Sequence, residues 1–355
     1  MQKRALYFSL LVLTLASCSG DELAPQQPVE APAPLLVEAV VGSGTRTSLI
    51  DNTSFDTFTL YGFDNSNQRF ANAVDFAKSA GQWAPSATSP ALVWPIGDNP
   101  CNFFAVSPFA SVGNVQIEAG STTRSFHYAC LADGNTQQND VLVASKLGIK
   151  KSDNDGKVQL AFNHALAFAR FKAKSELTGF TIKVKSITIC NLVKEGTFTF
   201  STTDESTGAW TLGTVRANYT ITPTAPVTLT ATDQYIEDKD GTLMTIPQTT
   251  ASRAWNPAVA MNTTTDSYLK VNCQIYTSGY NYVGNPTNNT FADVYIPFSG
   301  ELKQKTVYTF RLNMLNAYSL DTDLTGIKIF TGVDVEPVIT ASAAPWSTIE
   351  EMLTL

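Results

Sequence analysis

Cys18 is the residue whose type and position most directly suggest chemistry. Lys3 and Arg4 open the chain, an apolar run follows over residues 5–15, and the small residues Ala16 and Ser17 precede the cysteine. The run is too short to span a bilayer as a stable helix, and this order is typical of an export leader. A thiol directly after such a leader can carry a lipid, so the sequence predicts a signal peptide at residues 1–17 and lipidation of Cys18.

This cleavage site resembles the lipobox of bacterial lipoproteins, in which the cysteine becomes the first residue of the mature chain. The resemblance implies an exported chain that is held at a membrane. Asp21 and Glu22, just after the cysteine, resemble the acidic tether of surface-exposed lipoproteins of the Bacteroidetes, which implies a surface-exposed position at the cell outer membrane. At about 0.8 kcal/mol per buried methylene, two or more acyl chains would anchor the protein firmly. In the alternative interpretation, the leader is an ordinary secretory signal and Cys18 is incidental.

The two histidines do not form a recognisable catalytic pattern. His127 lies in an alternating run, and His164 has no neighbouring cysteine or carboxylate in the sequence at the spacing of a ligand or nucleophile. Nucleophile-elbow, HExxH and phosphate-loop motifs are missing from the sequence. We therefore interpret both histidines as structural and expect neither enzymatic activity nor a cofactor.

The remaining cysteines and two acidic turns are the other candidates for disulfide or metal sites. No CxxC pair occurs, which argues against zinc and thioredoxin-like sites. Disulfides Cys101–Cys130 and Cys190–Cys273 are allowed outside the cytoplasm, and buried reduced cysteines are the alternative. The DNDG and DKDG segments at 153–156 and 238–241 resemble half a calcium loop but lack its distal Glu, so they are interpreted as turns and no metal is expected.

The amino-acid composition limits which kinds of partner the chain can bind. The 355 residues carry a net charge of -7, only 15% are charged, and no basic run exceeds Lys150-Lys151. Such a chain has no electrostatic surface for phosphates, so nucleic acid is excluded as a partner. No second apolar stretch approaches a membrane span, which leaves the lipid as the expected membrane attachment.

The elements that must position these residues are predicted to be strands. A Pro- and Ala-rich spacer (23–34) precedes a β-favouring run (35–41), and the Gly-rich segment 42–47 then forms a loop that exposes Arg46. Period-2 runs with few helical stretches indicate antiparallel β-sandwiches. These runs lie at 58–63, 91–94, 102–106, 125–130, 140–144, 158–174, 180–191, 196–200, 227–230, 243–246, 268–276, 294–298, 307–314 and 327–330. A helix remains an alternative only at 70–80 and 348–355.

The polar segment GIKKSDNDG at 148–156 is the predicted domain boundary. It separates an N-terminal β-sandwich (47–155) from a C-terminal one (156–355). Residues 18–46 precede the first sandwich and contain the predicted lipidation site, the spacer and the first strand.

Several short motifs occur in a characteristic order. They are GTRT (44–47), FTLY (58–61), WP (94–95) with FFAVSP (103–108), NDVLVA (139–144), FNHALA (162–167), KSITI (185–189) with GTF (196–198), IPQ (246–248), and YIPF (295–298) with YTF (308–310). In this order the chain resembles the fimbrillins, or type V pilins, of the Bacteroidetes. The resemblance implies an all-β fold of two tandem transthyretin-like sandwiches, exported as a lipidated precursor and assembled with other subunits in a fimbria that supports adhesion.

The resemblance also implies a role for Arg46. A trypsin-like protease would cut between Arg46 and Thr47 and release residues 18–46 with the first strand. The unpaired edge left behind could then accept a strand from another subunit, for instance from its 333–355 region, where Val335, Val338 and Trp346 could fill pockets.

Two alternatives remain at this point. Arg46 could be an ordinary solvated loop residue. The chain could also be a non-polymerising surface lipoprotein or tip adhesin that binds a glycan or a receptor on a host or bacterial surface. The five tryptophans could stack on sugars in such an adhesin, although large aromatic residues are more often core: Trp83, Trp94, Trp210, Trp255 and Trp346.

Overall fold

A computed structural model provides the fold of the chain. It describes residues 33–41, 54–87, 91–108, 123–132, 139–203, 205, 208–237, 243–250, 266–297, 300–314, 320–322, 328–330 and 333–338, with side chains up to residue 314 except that of Pro297. These residues are organised almost entirely as β-strands, so the all-β expectation is confirmed.

The described part of the chain up to His164 contains eight strands and a short 3₁₀ turn. They are β1 (Leu36–Val41), β2 (Thr57–Phe63), β3 (Arg69–Ser79), β4 (Gln82–Pro85), β5 (Cys101–Ser107), β6 (Ser125–Ala129), β7 (Leu142–Ile149), the 3₁₀ turn (Asp153–Gly156) and β8 (Lys157–His164).

The later described strands are generally shorter. They are β9 (Ala167–Ser175), β10 (Thr181–Val193), β11 (Glu195–Thr199), β12 (Ala209–Leu212), β13 (Arg216–Ile221), β14 (Val227–Thr228), β15 (Gln234–Tyr235), β16 (Leu243–Thr245), β17 (Gln248–Thr249), β18 (Tyr268–Tyr276), β19 (Asn281–Val283), β20 (Ala292–Pro297), β21 (Glu301–Leu302), β22 (Val307–Met314), β23 (Leu320–Thr322), β24 (Lys328–Phe330) and β25 (Val333–Val338).

The N-terminal part of the chain forms a seven-stranded sheet in the order β1-β8-β7-β5-β2-β3-β4. All its neighbours are antiparallel except β1 and β8, which are parallel. Strands β1 and β4 are therefore the two edges of this sheet.

The other described strands form four further sheets. An eight-stranded sheet follows the order β13-β10-β18-β20-β24-β23, with β14 beside β10 and β19 beside β18. A five-stranded sheet follows β15-β9-β22-β25, with β16 beside β9. A three-stranded sheet (β12-β11-β6) and the pair β17-β21 complete the described set.

Two apolar cores lie on opposite faces of the seven-stranded sheet. One core packs the inward residues of β1 and β8 against aromatic residues such as Phe58 and Phe76. The other core contains Phe63 and Phe104 of the same sheet together with residues of the C-terminal sheets such as Phe171. Because both faces are covered, the middle strands β2 and β5 are buried almost continuously rather than in alternation.

The predicted boundary segment is a tight connection inside the seven-stranded sheet. Asn154, Asp155 and Gly156 all have positive φ (45°, 56° and 76°), a backbone conformation that these three residue types tolerate best. The turn connects the antiparallel strands β7 and β8, so the first sheet continues past residue 155 to His164. A polar, turn-rich segment looks the same in sequence whether it joins two strands or two domains.

Two other stretches differ from their simplest sequence interpretation. Residues 69–79 form strand β3, paired with both β2 and β4, so the helical alternative for 70–80 is wrong. The predicted run 158–174 is two strands, β8 and β9, which are interrupted at Ala165-Leu166 and belong to different sheets. In both cases pairing with other strands decides the structure, and local periodicity does not report it.

Candidate functional site

Strand β1 is amphipathic in the way that a half-buried edge strand requires. Its sequence LVEAVV alternates exposed and buried positions, with Val37, Ala39 and Val41 facing the core and Leu36, Glu38 and Val40 facing outward. Leu35, just before the strand, is also buried. The valine-rich alternation favours a strand, as the sequence predicts for residues 35–41.

Strand β8 holds β1 along one side only. The register runs from Leu36 opposite Lys157 to Val41 opposite Phe162, 121 residues further along the chain. Glu38 accepts hydrogen bonds from Lys157 (3.1 Å) and Gln159 (3.5 Å), but all three side chains lie largely in solvent, where such contacts contribute little. The apolar face of β1, rather than its charges, therefore accounts for most of its attachment.

The other side of β1 faces a groove. The groove has a volume of about 630 Å³ and is lined by β1 and by residues of β3 and β4, including Phe76, Trp83 and Pro85. The Trp83 indole N–H crosses it and donates to the carbonyl of Ala39 at 3.0 Å. At the start of β1, the Leu35 N–H donates to the Leu92 carbonyl at 3.1 Å. The two edges of the seven-stranded sheet thus lie on either side of this groove, bridged by a side chain.

Aromatic residues form the floor beneath β1. Phe58 stacks on Phe76 with ring centroids 4.9 Å apart, and Trp83 packs at 4.8–4.9 Å from Phe55 and Phe58. Phe162 of β8 packs against Phe55 at 4.8 Å. These residues and the inward face of β1 share one core, so departure of β1 would bring large aromatic surfaces into contact with water.

Strand β25, near the C-terminus, is also an edge strand. It pairs antiparallel with β22 over six residues, from Thr309 opposite Val338 to Met314 opposite Val333. No described strand pairs with its other side. The first part of the predicted donor region 333–355 therefore lies in a sheet of its own chain, and residues 339–355 lie outside the described residues.

The residues predicted to be modified, Cys18, Arg46 and Thr47, lie outside the described residues. The structure gives the position of the segment between them instead. Strand β1 ends at Val41, five residues before Arg46. A cut after Arg46 would therefore break the covalent connection between β1 and the residues that follow it, while leaving β1 itself intact.

The structure brings His164 next to a carboxylate that the sequence did not associate with it. Its Nδ1 lies 2.8–2.9 Å from the carboxylate oxygens of Asp140, and both side chains are almost completely buried. A buried His–Asp pair cannot meet a substrate, which agrees with a structural role. His127 is exposed on β6, opposite Thr197 of β11.

The four cysteines after the leader are all free thiols in buried positions. Cys273 pairs with Val184 on β10, six residues from Cys190 on the same strand, and at about 3.4 Å per residue this is too far for a disulfide. Cys101 and Cys130 belong to different cores. Burial raises the pKa of Cys101 and Cys190 to about 11 and that of Cys130 to about 12, so these thiols are poor nucleophiles.

The described tryptophans do not form a common stacking surface. Trp94 is buried and donates to the Gly156 carbonyl, whereas Trp210 packs on the other core and donates to the Ala165 carbonyl. Among the described residues no group of His, Cys, Asp and Glu side chains could hold a metal ion. Within the same part of the chain, no helix is both long and apolar enough to cross a bilayer.

The sequence matches the fimbrillin-like family model over residues 45–336. The chain belongs to the fimbrillin-like family. The resemblance predicted from its ordered motifs is thereby confirmed. No curated protein matches the chain.

Solved structures that match the chain come from Bacteroides and Porphyromonas species. A fimbrial protein from Bacteroides vulgatus superposes with a TM-score of 0.50 at 15% identity, covering 80% of this fimbrillin-like chain and 95% of that protein. A proposed cell adhesion protein from Bacteroides uniformis gives 0.47 at 13% identity, covering 86% and 96%. The fimbrial anchor protein Mfa2 from Porphyromonas gingivalis gives 0.35 at 10% identity, covering 80% and 91%. At 15% identity, the match to the Bacteroides vulgatus protein supports the fold and nothing further.

Proposed function

We propose that this fimbrillin-like chain is a fimbrial subunit that assembles by β-strand exchange. It is exported as a lipoprotein precursor, is anchored through Cys18 to the outer membrane, and is cut between Arg46 and Thr47. The cut releases β1 with the lipid, and a strand of another subunit takes its place. The resulting surface fimbria supports adhesion to host or bacterial surfaces.

The observation that carries this proposal is the position of β1. It is an edge strand with a buried inward face, and it ends five residues before Arg46. Its removal would leave the edge of β8 unpaired above an apolar floor that includes Phe58, Phe76 and Phe162. An unpaired edge beside an apolar groove binds an extended segment through main-chain hydrogen bonds and alternate side chains.

The C-terminal edge strand supports the same proposal from the donor side. Because β25 is bonded to a described strand only through β22, it could leave its sheet without separating two other strands. Residues 339–355 follow it directly and could accompany it. The donor of the proposed exchange is therefore taken from the 333–355 region of a neighbouring subunit.

Limited proteolysis of the leaderless, unlipidated chain tests the proposal. Trypsin at a low ratio should cut first after Arg46, and the cut chain should then form oligomers whose amount rises with protein concentration. Mass spectrometry of these oligomers should find subunits that begin at Thr47 and lack β1. The Arg46→Ala variant is the matched control, and under the same conditions it should remain monomeric.

Two results would contradict the proposal. One is a cut chain that stays monomeric at every concentration after the released fragment has been removed. The other is a set of oligomers that still contain residues 18–46. Either result would favour the non-polymerising surface lipoprotein.

A further inference from the structure

The side chain of Trp83 contacts the main chain of β1 across the groove. Its indole N–H donates to the Ala39 carbonyl at 3.0 Å, near the middle of β1 and on the side away from β8. No described strand pairs with β1 on that side. Trp83 therefore supplies a hydrogen bond at a position where a neighbouring strand would otherwise supply one.

The ring of Trp83 is held ready for this bond. Phe55 and Phe58 pack against it at 4.8 and 4.9 Å, and the ammonium of Lys78 lies 5.7 Å from its centroid. Trp83 is paired with Lys78 in the β3–β4 ladder, which fixes its backbone. Since the ring is ordered by contacts that do not involve β1, little conformational freedom is lost when the indole bonds to the strand.

We infer that Trp83 is a positioning residue that retains the exchangeable strand, so that cutting of the loop and departure of β1 are separate steps. This inference rests on the proposed strand exchange. It adds a point of control to the exchange: after the cut, β1 stays bound by its ladder with β8, by its buried face and by the Trp83–Ala39 bond until all three are given up.

Because the indole recognises a carbonyl and not a side chain, it can hold any strand that occupies the β1 position. A replacing strand in the same register would present a carbonyl where Ala39 presents its own. Trp83 therefore serves the incoming strand as well as the resident one and places no demand on its sequence at that point.

Trp210 provides the matched control, whereas Trp94 shares a core with β1 and its main-chain N–H donates to the Ala33 carbonyl of the same fragment at 3.0 Å. Trp94 in the same part of the chain donates to the Gly156 carbonyl at 3.1 Å, and Trp210 donates to the Ala165 carbonyl at 2.7 Å. Neither acceptor lies on β1. Replacing any of the three by Phe removes one indole–carbonyl hydrogen bond, but only Trp83→Phe removes it from the exchangeable strand.

The test uses the full leaderless chain with a site-specific protease sequence placed within residues 42–53. After cutting, the rate at which the N-terminal fragment leaves is measured by size exclusion at a series of urea concentrations. We expect Trp83→Phe to lose the fragment about two- to twelvefold faster than the parent, the range that one neutral hydrogen bond gives. Trp210→Phe, which changes the other core, should release it at the parental rate. A synthetic peptide of residues 33–41 should rebind more weakly to Trp83→Phe by a similar factor.

Equal release from the Trp83→Phe and Trp210→Phe proteins would overturn the inference. If Trp83→Phe fails to fold, replacement of Trp83 by benzothienylalanine, which keeps the bicyclic shape and lacks the N–H, gives the same comparison. Failure of the proposed exchange has a different signature. The cut parent would then not assemble without urea, while the difference between variants in urea would still decide the role of Trp83.

Discussion

A matched pair of substitutions in β1 tests whether this strand is held by its inward face. Val37 is 5% exposed and Val40 is 57% exposed, although both lie in the same strand and have the same side chain. Val→Ala removes two carbon groups worth about 0.8 kcal/mol each when buried, and the cavity left behind adds to this. We therefore expect Val37→Ala to lower the free energy of unfolding by about 2 kcal/mol. Val40→Ala should change it by less than about 0.5 kcal/mol.

The assay is urea-induced unfolding of the uncut, leaderless chain, followed by tryptophan fluorescence with the slope of the transition compared between variants. The loss of β propensity is common to both substitutions, so the difference between them reports burial alone. Equal effects, or a larger effect of Val40→Ala, would refute the reasoning. A register shifted by one residue would exchange the inward and outward faces of β1 and give that result.

Three further predictions follow from the described structure. In native protein without Cys18, iodoacetamide should label none of the four remaining cysteines, which are Cys101, Cys130, Cys190 and Cys273. In denaturant it should label all four without a reductant. A labelled cysteine in the native protein, or a disulfide, would contradict their burial as free thiols. Burial raises the pKa of Glu237 in the folded chain. The stability that the protonated side chain contributes is therefore full below the unfolded pKa of about 4.3 and is lost as the pH rises through the folded pKa. Denaturation at a series of pH values should therefore show the stability of the parent falling relative to Glu237→Gln from pH 4 to 7, whereas a constant or rising difference would be inconsistent with this sign. Gly284→Ala should lower the urea midpoint and reduce the free energy of unfolding by about 1–3 kcal/mol, because Gly284 has φ +65° and an added Cβ would meet the Thr290 carbonyl at 2.6 Å. The control Gly279→Ala, whose added Cβ would meet no atom within 4 Å beyond those of its chain neighbours, should have little effect. Equal urea midpoints for the two variants would refute the predicted strain.

Local patterns were sufficient to predict most strands. The alternation at residues 35–41 predicts β1 and its inward face, and the runs at 58–63 and 102–106 predict β2 and β5. The first run alternates and the other two are short apolar runs, and all three carry β-branched or aromatic residues, so each can be interpreted without knowledge of its partner.

Features that depend on pairing could not be predicted in this way. The parallel partner of β1 lies 121 residues away, and nothing in either segment specifies the other. The same reason applies to the Trp83–Ala39 bond and to the contact of His164 with Asp140, which join elements that the sequence separates. The sequence predicts a domain boundary at the turn 153–156 because its composition reports only the backbone conformation and not which strands the turn joins.

The most direct test of strand exchange is a reversible lock on β1. Glu38 and Gln159 face each other across β1 and β8, and both side chains are exposed, so a Glu38→Cys/Gln159→Cys pair can form a disulfide without disturbing the core. After cleavage following Arg46, we predict that the oxidised double variant stays monomeric and assembles once a reductant is added. The single variant Glu38→Cys should assemble under both conditions. Equal assembly of the oxidised and reduced double variants, with β1 still disulfide-bonded to β8 in the oxidised protein, would contradict the account.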